Sequence, residues 1–313
     1  MNALIITALY PPAIGGAATY FADIVPKLAG HEKIERLTVL TERMPGQPRE
    51  TVEGKLRLLR RLPRRVSGPR RPWLGHATTY VLTQLWFAAR LPALVHRQGI
   101  DLIHFHTRYR GRLFYNALQR CRVPVIADLR DKMTDPAHLV GVADRLLCCG
   151  EGVRGFGIHG GFPAEHTALI PIPFPPPETP SPTHVAAIRE RYHLGEAPYL
   201  LFVGDITYNK GVYDLLEAFE QWRSDHPGVR LVYAGTNREG SRFLEQIESS
   251  TNEHYLGHVP HEDALALIHG AEIVTLPSRS EGLPRVILEA VALGTKVICP
   301  PGIPEFELHL AEF

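Results

Sequence analysis

The sequence predicts an α/β protein of two domains, each built on a parallel sheet with helices on both faces. Three observations carry this. Short, almost wholly apolar stretches alternate with helix-length segments throughout the 313 residues. A strand that is apolar at nearly every position is buried on both faces, as in a parallel sheet between helical layers. The segment PIPFPPPETPSP, residues 171–182, has seven prolines in twelve positions. It cannot be a helix interior or a central strand, and it reads as a stiff connector. The formal charge changes sign at the same place. Residues 1–172 carry 24 Lys/Arg against 13 Asp/Glu, whereas residues 173–313 carry 10 against 20. Domains are therefore predicted over 1–172 and 184–313, with a linker over 173–183.

In the first domain, ALIITALYP reads as a strand, a glycine turn follows, and ATYFADIVPKLAG has a helix pattern. RLTVLTE is the next strand. A long basic segment then leads to the helical stretch TTYVLTQLWFAARLPALVHR and the strands DLIHFH, PVIADL and DRLLCCG. In the second domain, YLLFVGD, RLVYAG, HYLG, EIVTLP and KVICP read as strands. VYDLLEAFEQW places Val212, Leu215, Leu216, Phe219 and Trp222 at helical spacing. Two such halves make two Rossmann-like domains, whose ligands bind outside the carboxyl ends of the strands.

The bulk composition, 44% hydrophobic and 21% charged, suits a soluble globular protein. No apolar run reaches the length of a membrane span. The start MNALIITALYPP lacks the basic opening of a signal peptide, so a cytoplasmic protein is expected. The four cysteines show no C-x-x-C spacing and read as reduced core residues.

Five motifs stand just after strands or between them. In YPPAIGGAATYF, Gly15 and Gly16 permit a tight turn before a helix whose free N–H groups suit a phosphate or a hydroxyl. The spacing is not that of a dinucleotide fingerprint. DLIHFHTRYRGR ends a strand with His104 and His106 on one face, and His106 lies nearest the crevice. FVGDITYNKG leaves a strand with Lys210 poised to hold phosphate as a point charge. KLRLLRRLPRRVSGPRR, residues 55–71, has eight basic residues interleaved with leucines. That mixture suits an anionic membrane surface, and no nucleic-acid reader motif accompanies it. Finally, SRSEGLPRVILEA puts Glu281 in a loop, Pro284 at the first helical position, and Glu289 five residues further, roughly 7–8 Å along the axis. The amides of Gly282 and Leu283 then point out beside a positive helix end. A nucleotide sugar fits this arrangement: phosphate in the middle, a hydroxyl-rich ring at each acid.

With these residues in hand, the chain resembles the family 4 retaining glycosyltransferases of GT-B fold over nearly its whole length. PSRSEGLPRVILEAVALGTKVICPPGIPE resembles the family's E-x7-E donor segment, FVGDITYNKG its diphosphate loop, YPPAIGGAATY its N-terminal glycine loop, and DLIHFH the strand ending in its active-site histidine. The resemblance implies that the second domain binds the nucleotide sugar and the first the acceptor. It implies that Glu281 contacts the donor sugar, Glu289 the ribose, and Lys210 the diphosphate. It also implies that Gly15 and Gly16 let the backbone approach, and that His106 sits near the transferred sugar. Retention would proceed by front-face attack, with no metal and no cofactor. Two departures are visible. Asp205 stands where the family has arginine after the glycine, and the chain ends at Phe313, so a second domain shorter than usual is expected.

The expected activity is hexosyl transfer to a glycan or lipid-linked acceptor in cell-surface polysaccharide biosynthesis, at the inner face of the membrane. The alternatives are a catalytically impaired nucleotide-sugar-binding module, favoured by Asp205 and the short C-terminus, and a GT-B-fold sugar-nucleotide epimerase, for which no matching motif is found.

Overall fold

A computed structural model of the chain describes residues 1–13, 16–64, 72–132, 134–171, 174–248, 252–281, 284–303 and 306–307. The chain divides into two compact units, residues 1–173 and 174–313. The first holds β1 (Asn2–Ile6), α1 (Gly16–Gly30), β2 (Arg36–Glu42), β3 (Glu50–Glu53), β4 (Leu56–Leu62), α2 (Pro72–Gln98), β5 (Leu102–His106), α3 (Arg112–Cys121), β6 (Val125–Leu129), β7 (Arg145–Cys148), α4 (Glu151–His159) and β8 (Thr167–Leu169). Its sheet runs β3-β4-β2-β1-β5-β6-β7-β8, and every pair is parallel except the β3–β4 hairpin. The second holds α5 (Pro182–Arg191), β9 (Tyr199–Val203), α6 (Val212–Trp222), β10 (Arg230–Ala234), α7 (Ser241–Glu248), β11 (Glu253–Tyr255), α8 (His261–His269), β12 (Ile273–Thr275), α9 (Arg285–Ala292) and β13 (Lys296–Ile298). Its sheet, β11-β10-β9-β12-β13, is parallel throughout.

Alternation along the strands explains the layers. Ala3 and Ile5 of β1 join Tyr20, Phe21 and Val25 of α1, while Leu4 and Ile6 join Phe87 and Leu91 of α2 and Phe114 of α3. Successive side chains leave opposite faces of a strand, so one covered on both sides is apolar at both parities. In the second unit α6 buries Val212, Leu215, Leu216 and Phe219. Trp222 is more exposed than the helical spacing suggests and stacks on His226, with ring centroids 3.8 Å apart.

The basic stretch is the main correction. Residues 56–62 form β4, an internal strand, instead of an adsorbing surface. Leu58 joins the α1 layer, and Leu59 and Leu62 the α2 layer. Arg57 and Arg61 both pair with Glu50, at 2.7 and 2.8 Å, and Arg60 donates to the Pro11 carbonyl at 3.2 Å. Leucines committed to a core are not available to a bilayer. Residues 65–71 lie outside the described residues. Among those described, no helix is long and apolar enough to cross a membrane.

Topology also says where ligands go. In the first sheet β2 and β5 flank β1, and in the second β10 and β12 flank β9. Connections that leave a central strand in opposite directions open a crevice at its carboxyl end.

Candidate functional site

At the second unit's switch point, two loops meet. From β9 the chain passes Gly204 and Asp205, makes a helical turn over Tyr208–Lys210, and enters α6 through Gly211. From β12 the loop 276–281 leads toward α9. Because β9 and β12 pair in parallel, both loops leave the same sheet edge. Lys210 Nζ lies 2.5 Å from Glu281 Oε1, and the Glu281 side chain is only 8% exposed. The sequence reading leaves Glu281 free to accept hydroxyl groups. In the structure its carboxylate is already held by the lysine, so a ligand must share or exchange that contact.

The pair sits on a built scaffold. The Arg279 amide donates to the Asn209 carbonyl at 2.9 Å, and its guanidinium donates to the Tyr208 carbonyl at 2.7 Å. The same guanidinium pairs with Asp214 at 2.6 Å and lies 4.2 Å above the Tyr208 ring. Gly211 adopts φ +70°, and a Cβ there would fall 2.0 Å from the Pro277 carbonyl oxygen. Only glycine accepts both the left-handed backbone and that approach.

Glu289 lies in the second turn of α9 and is buried. An apolar helix face needs a partner for such a group, and His261 Nε2 supplies it at 3.0 Å. That hydrogen bond is the main reason the His261 pKa is raised above its ordinary 6.5, against burial and the Arg285 charge, with Glu262 assisting. The linked stability is therefore fully present below the unfolded value and is lost as pH rises through the folded one. His261→Gln is expected to lower Tm at acid pH and to leave it unchanged at alkaline pH, as thermal unfolding across that range will read. Pro284 caps α9 one residue before its first turn, not inside it. Gly16 opens α1. Gly15, Gly282 and Leu283 lie outside the described residues.

Asp205, the departure from the family pattern, has its own partner. Ile206 bridges Asn237 beside it, and Arg238 Nε comes within 3.4 Å of Asp205 Oδ2. A cation thus stands next to the unexpected acid.

In the first unit, His104 and His106 share one face of β5, and both pack on Phe21 of α1. Burial pulls the His106 pKa down to about 4, against Asp128, so its ring is neutral near pH 7. Its Nδ1 is buried with no hydrogen-bond partner among the described residues. His104 is spoken for: its Nε2 lies 3.0 Å from Asp128 Oδ2. Asp128, fully buried at the end of β6, also pairs with Arg130 at 2.9 Å, whose guanidinium carbon lies 3.2 Å from the Tyr20 ring centroid. Burial pushes the Asp128 carboxyl up, but His104 and Arg130 outweigh it and hold the pKa below its usual value. Sequence reasoning missed this network. Its signal was a lone acid inside the apolar VIADL, followed at once by arginine. His106 also lines a cleft of about 930 Å³ with Arg108, Arg110, Arg112, Tyr115 and Asp131.

Two Rossmann-like units of parallel sheets, with a lysine–carboxylate pair at a switch point, place the protein in the GT-B class. Anabaena HepE, solved in complex with UDP and glucose, matches 98% of this chain and 83% of its own at TM-score 0.71 and 18% identity. The model for glycosyl transferases group 1 matches residues 186–306, and that for the glycosyl transferase 4-like domain matches residues 15–152. The chain belongs to the family 4 glycosyltransferases. It is 36% identical over 102 residues to a glycogen synthase of Mycobacterium tuberculosis, covering 32% of this chain and 25% of that one. It is also similar, at 24% identity over 98% of its length and 82% of the relative's, to the GDP-mannose-dependent alpha-(1-6)-phosphatidylinositol monomannoside mannosyltransferase of M. tuberculosis. The chain spans a quarter to a third of the length of the first curated relatives it matches.

Proposed function

We propose that the chain transfers a hexosyl group, with retention, from a nucleotide sugar to a glycan or lipid-linked acceptor of cell-surface polysaccharide biosynthesis, at the inner face of the membrane. The observation that carries this is the Lys210–Glu281 pair at the β9–β12 switch point. Lys210 offers a point charge to the diphosphate, and Glu281 hydrogen bonds to the donor sugar. Glu289 takes the ribose hydroxyls, with His261 orienting its carboxylate. Gly15, Gly16, Gly282 and Leu283 are the proposed donor-binding backbone positions, and neutral His106 is the proposed partner of the transferred sugar. The leaving phosphate accepts the acceptor's proton on the face where the new bond forms. The protein's part is positioning and charge stabilisation. The reaction calls for no metal: turnover is expected to survive EDTA.

The nucleotide sugar is supported by the bound UDP and glucose in the HepE structure. Arg238 answers the departure at Asp205. Its charge, 3.4 Å from that carboxylate, stands in for the arginine the family places after the glycine. Arg238→Ala is expected to raise the donor KM about tenfold with little change in kcat, the pattern of a lost ground-state charge contact. Steady-state kinetics will show it, and an unchanged KM removes the residue from the site.

Calorimetry against UDP-, GDP- and ADP-sugars, followed by a transfer assay, tests the whole reading. Binding with turnover supports it. Binding without turnover identifies a nucleotide-sugar-binding module, the reading that Asp205 favours, and absence of binding defeats both.

A further inference from the structure

The cleft that holds His106 has two ends of different chemistry. At one end the His106 ring lies in the field of Asp131 and Arg108. At the other, Tyr115 in the first turn of α3 stands among Arg110, Tyr80 and the Gly111 amide. Tyr115 is 9% exposed, and its hydroxyl is buried. The Gly111 amide lies beside that hydroxyl without closing a hydrogen bond, and no other partner meets it among the described residues. A buried polar group left in that state costs stability until a ligand supplies the missing bond. Burial pushes the phenol pKa up to about 12, against the Arg110 charge, so the group keeps its proton and has a hydrogen bond to give.

The loop that carries the arginines is held from behind. Gln84 of α2 donates to the Arg110 carbonyl at 2.9 Å and accepts from the Phe114 amide at 3.1 Å. Gly111 adopts φ +134°, and a Cβ there would overlap the Gln84 amide and the Tyr80 hydroxyl. Arg110 and Arg112, which line the cleft, therefore flank a residue fixed against α2. Helix α3 starts at Arg112 with no acid in its first turn, and its positive end adds to the guanidinium charges. Asp135, the acid that acts on the phenol, is engaged as a cap and accepts from the Ala137 amide at 3.0 Å. Glu42, which also lines the cleft, accepts from the Tyr109 hydroxyl at 3.5 Å. Residues 1–172 carry 24 Lys/Arg against 13 Asp/Glu, a field that draws anions toward this unit.

We propose that the acceptor sugar carries an anionic group, a carboxylate or a phosphate, held by the Tyr115 hydroxyl with Arg110 and Arg112, while its reacting hydroxyl lies at the His106 end. The proposal rests on the transferase reading and adds what the acceptor must bring. Hydrogen bonds from a phenol and from guanidinium to an oxyanion are charge-assisted, and the planar fork of arginine matches either anion. A neutral sugar gains neither.

Saturation-transfer NMR titrations of the full chain, without donor, compare glucuronate and glucose 6-phosphate with glucose. At least one anionic sugar is expected to bind about tenfold more tightly than glucose and to weaken as salt is raised. Which one does so identifies the anion. Tyr115→Phe is expected to raise the Kd of that sugar about tenfold and to leave glucose unaffected. Its Tm should stay the same or rise, since only an unpartnered hydroxyl is lost, whereas a structural role would lower it. Arg112→Gln should raise the Kd about threefold. Lys210→Gln, in the second unit, should leave it intact. Anionic sugars that bind no more tightly than glucose overturn the proposal. So does an affinity that neither Tyr115→Phe nor Arg112→Gln moves, or one that Lys210→Gln abolishes, which puts the anion at the donor site. Transfer to neutral and anionic acceptors with equal kcat/KM overturns it too and spares the transferase reading. An anionic sugar that binds as expected and accepts no glycosyl group counts against the transferase reading alone.

Discussion

Glu281→Gln is expected to lower kcat/KM for sugar transfer by about a hundredfold or more, the cost of removing one preorganised electrostatic contact to a transition state. The exchange keeps the side-chain shape and leaves an oxygen to accept from Lys210, 2.5 Å away in the parent. It removes the negative charge that the donor sugar would meet. Lys210 is 30% exposed and keeps part of its hydration, so the fold should tolerate the change. Kinetics at saturating donor, with calorimetric donor binding beside them, separate a lost catalytic contact from a lost binding contact. Parental turnover in the folded variant would remove Glu281 from the reaction.

Asp128→Ala should cost about 3–5 kcal/mol of folding stability, because breaking a buried ion pair strands the charge that remains. The charge left stranded would be that of Arg130, 9% exposed and stacked on Tyr20, while His104, 11% exposed, would lose its hydrogen-bond partner. The wild-type carboxyl is held below its ordinary 3.8, so its contribution is present above about that pH and fades as pH falls through the folded value. The penalty should therefore be measured at neutral pH, by urea unfolding. A loss under about 1 kcal/mol would show that water reaches the pocket and screens the pair.

Much of this fold can be read from residues alone, for a physical reason. Strands such as NALII and YLLFV are apolar at both parities because helices cover both faces, and that pattern is local. The Lys210 and Glu281 loops are legible too, since each follows an apolar strand and carries one charge before a helix. What reads poorly is whatever depends on distant pairing. LRLLRRL has no clean alternation, and only its hairpin with ETVE, where Glu50 meets Arg57 and Arg61, tells a strand from a basic surface. His261 lies 28 residues from Glu289, and Arg238 lies 33 from Asp205. Neither pairing leaves a mark on its own segment. On α2, the exposure of Val81, Leu82 and Leu85 is hidden for the opposite reason: within a long apolar helix, nothing local says which side faces the core.

The contact between Gly211 and the Pro277 carbonyl bears on how donor preference could be redesigned. With no room for a methyl group between them, and with Arg279 tethering both segments, residues 204–211 and 276–281 behave as one interchangeable cassette. Grafting either piece alone from a homologue would import a surface shaped for an absent mate. Transplanting the two together would preserve the joint, leaving the proposed nucleotide and sugar contacts open to change.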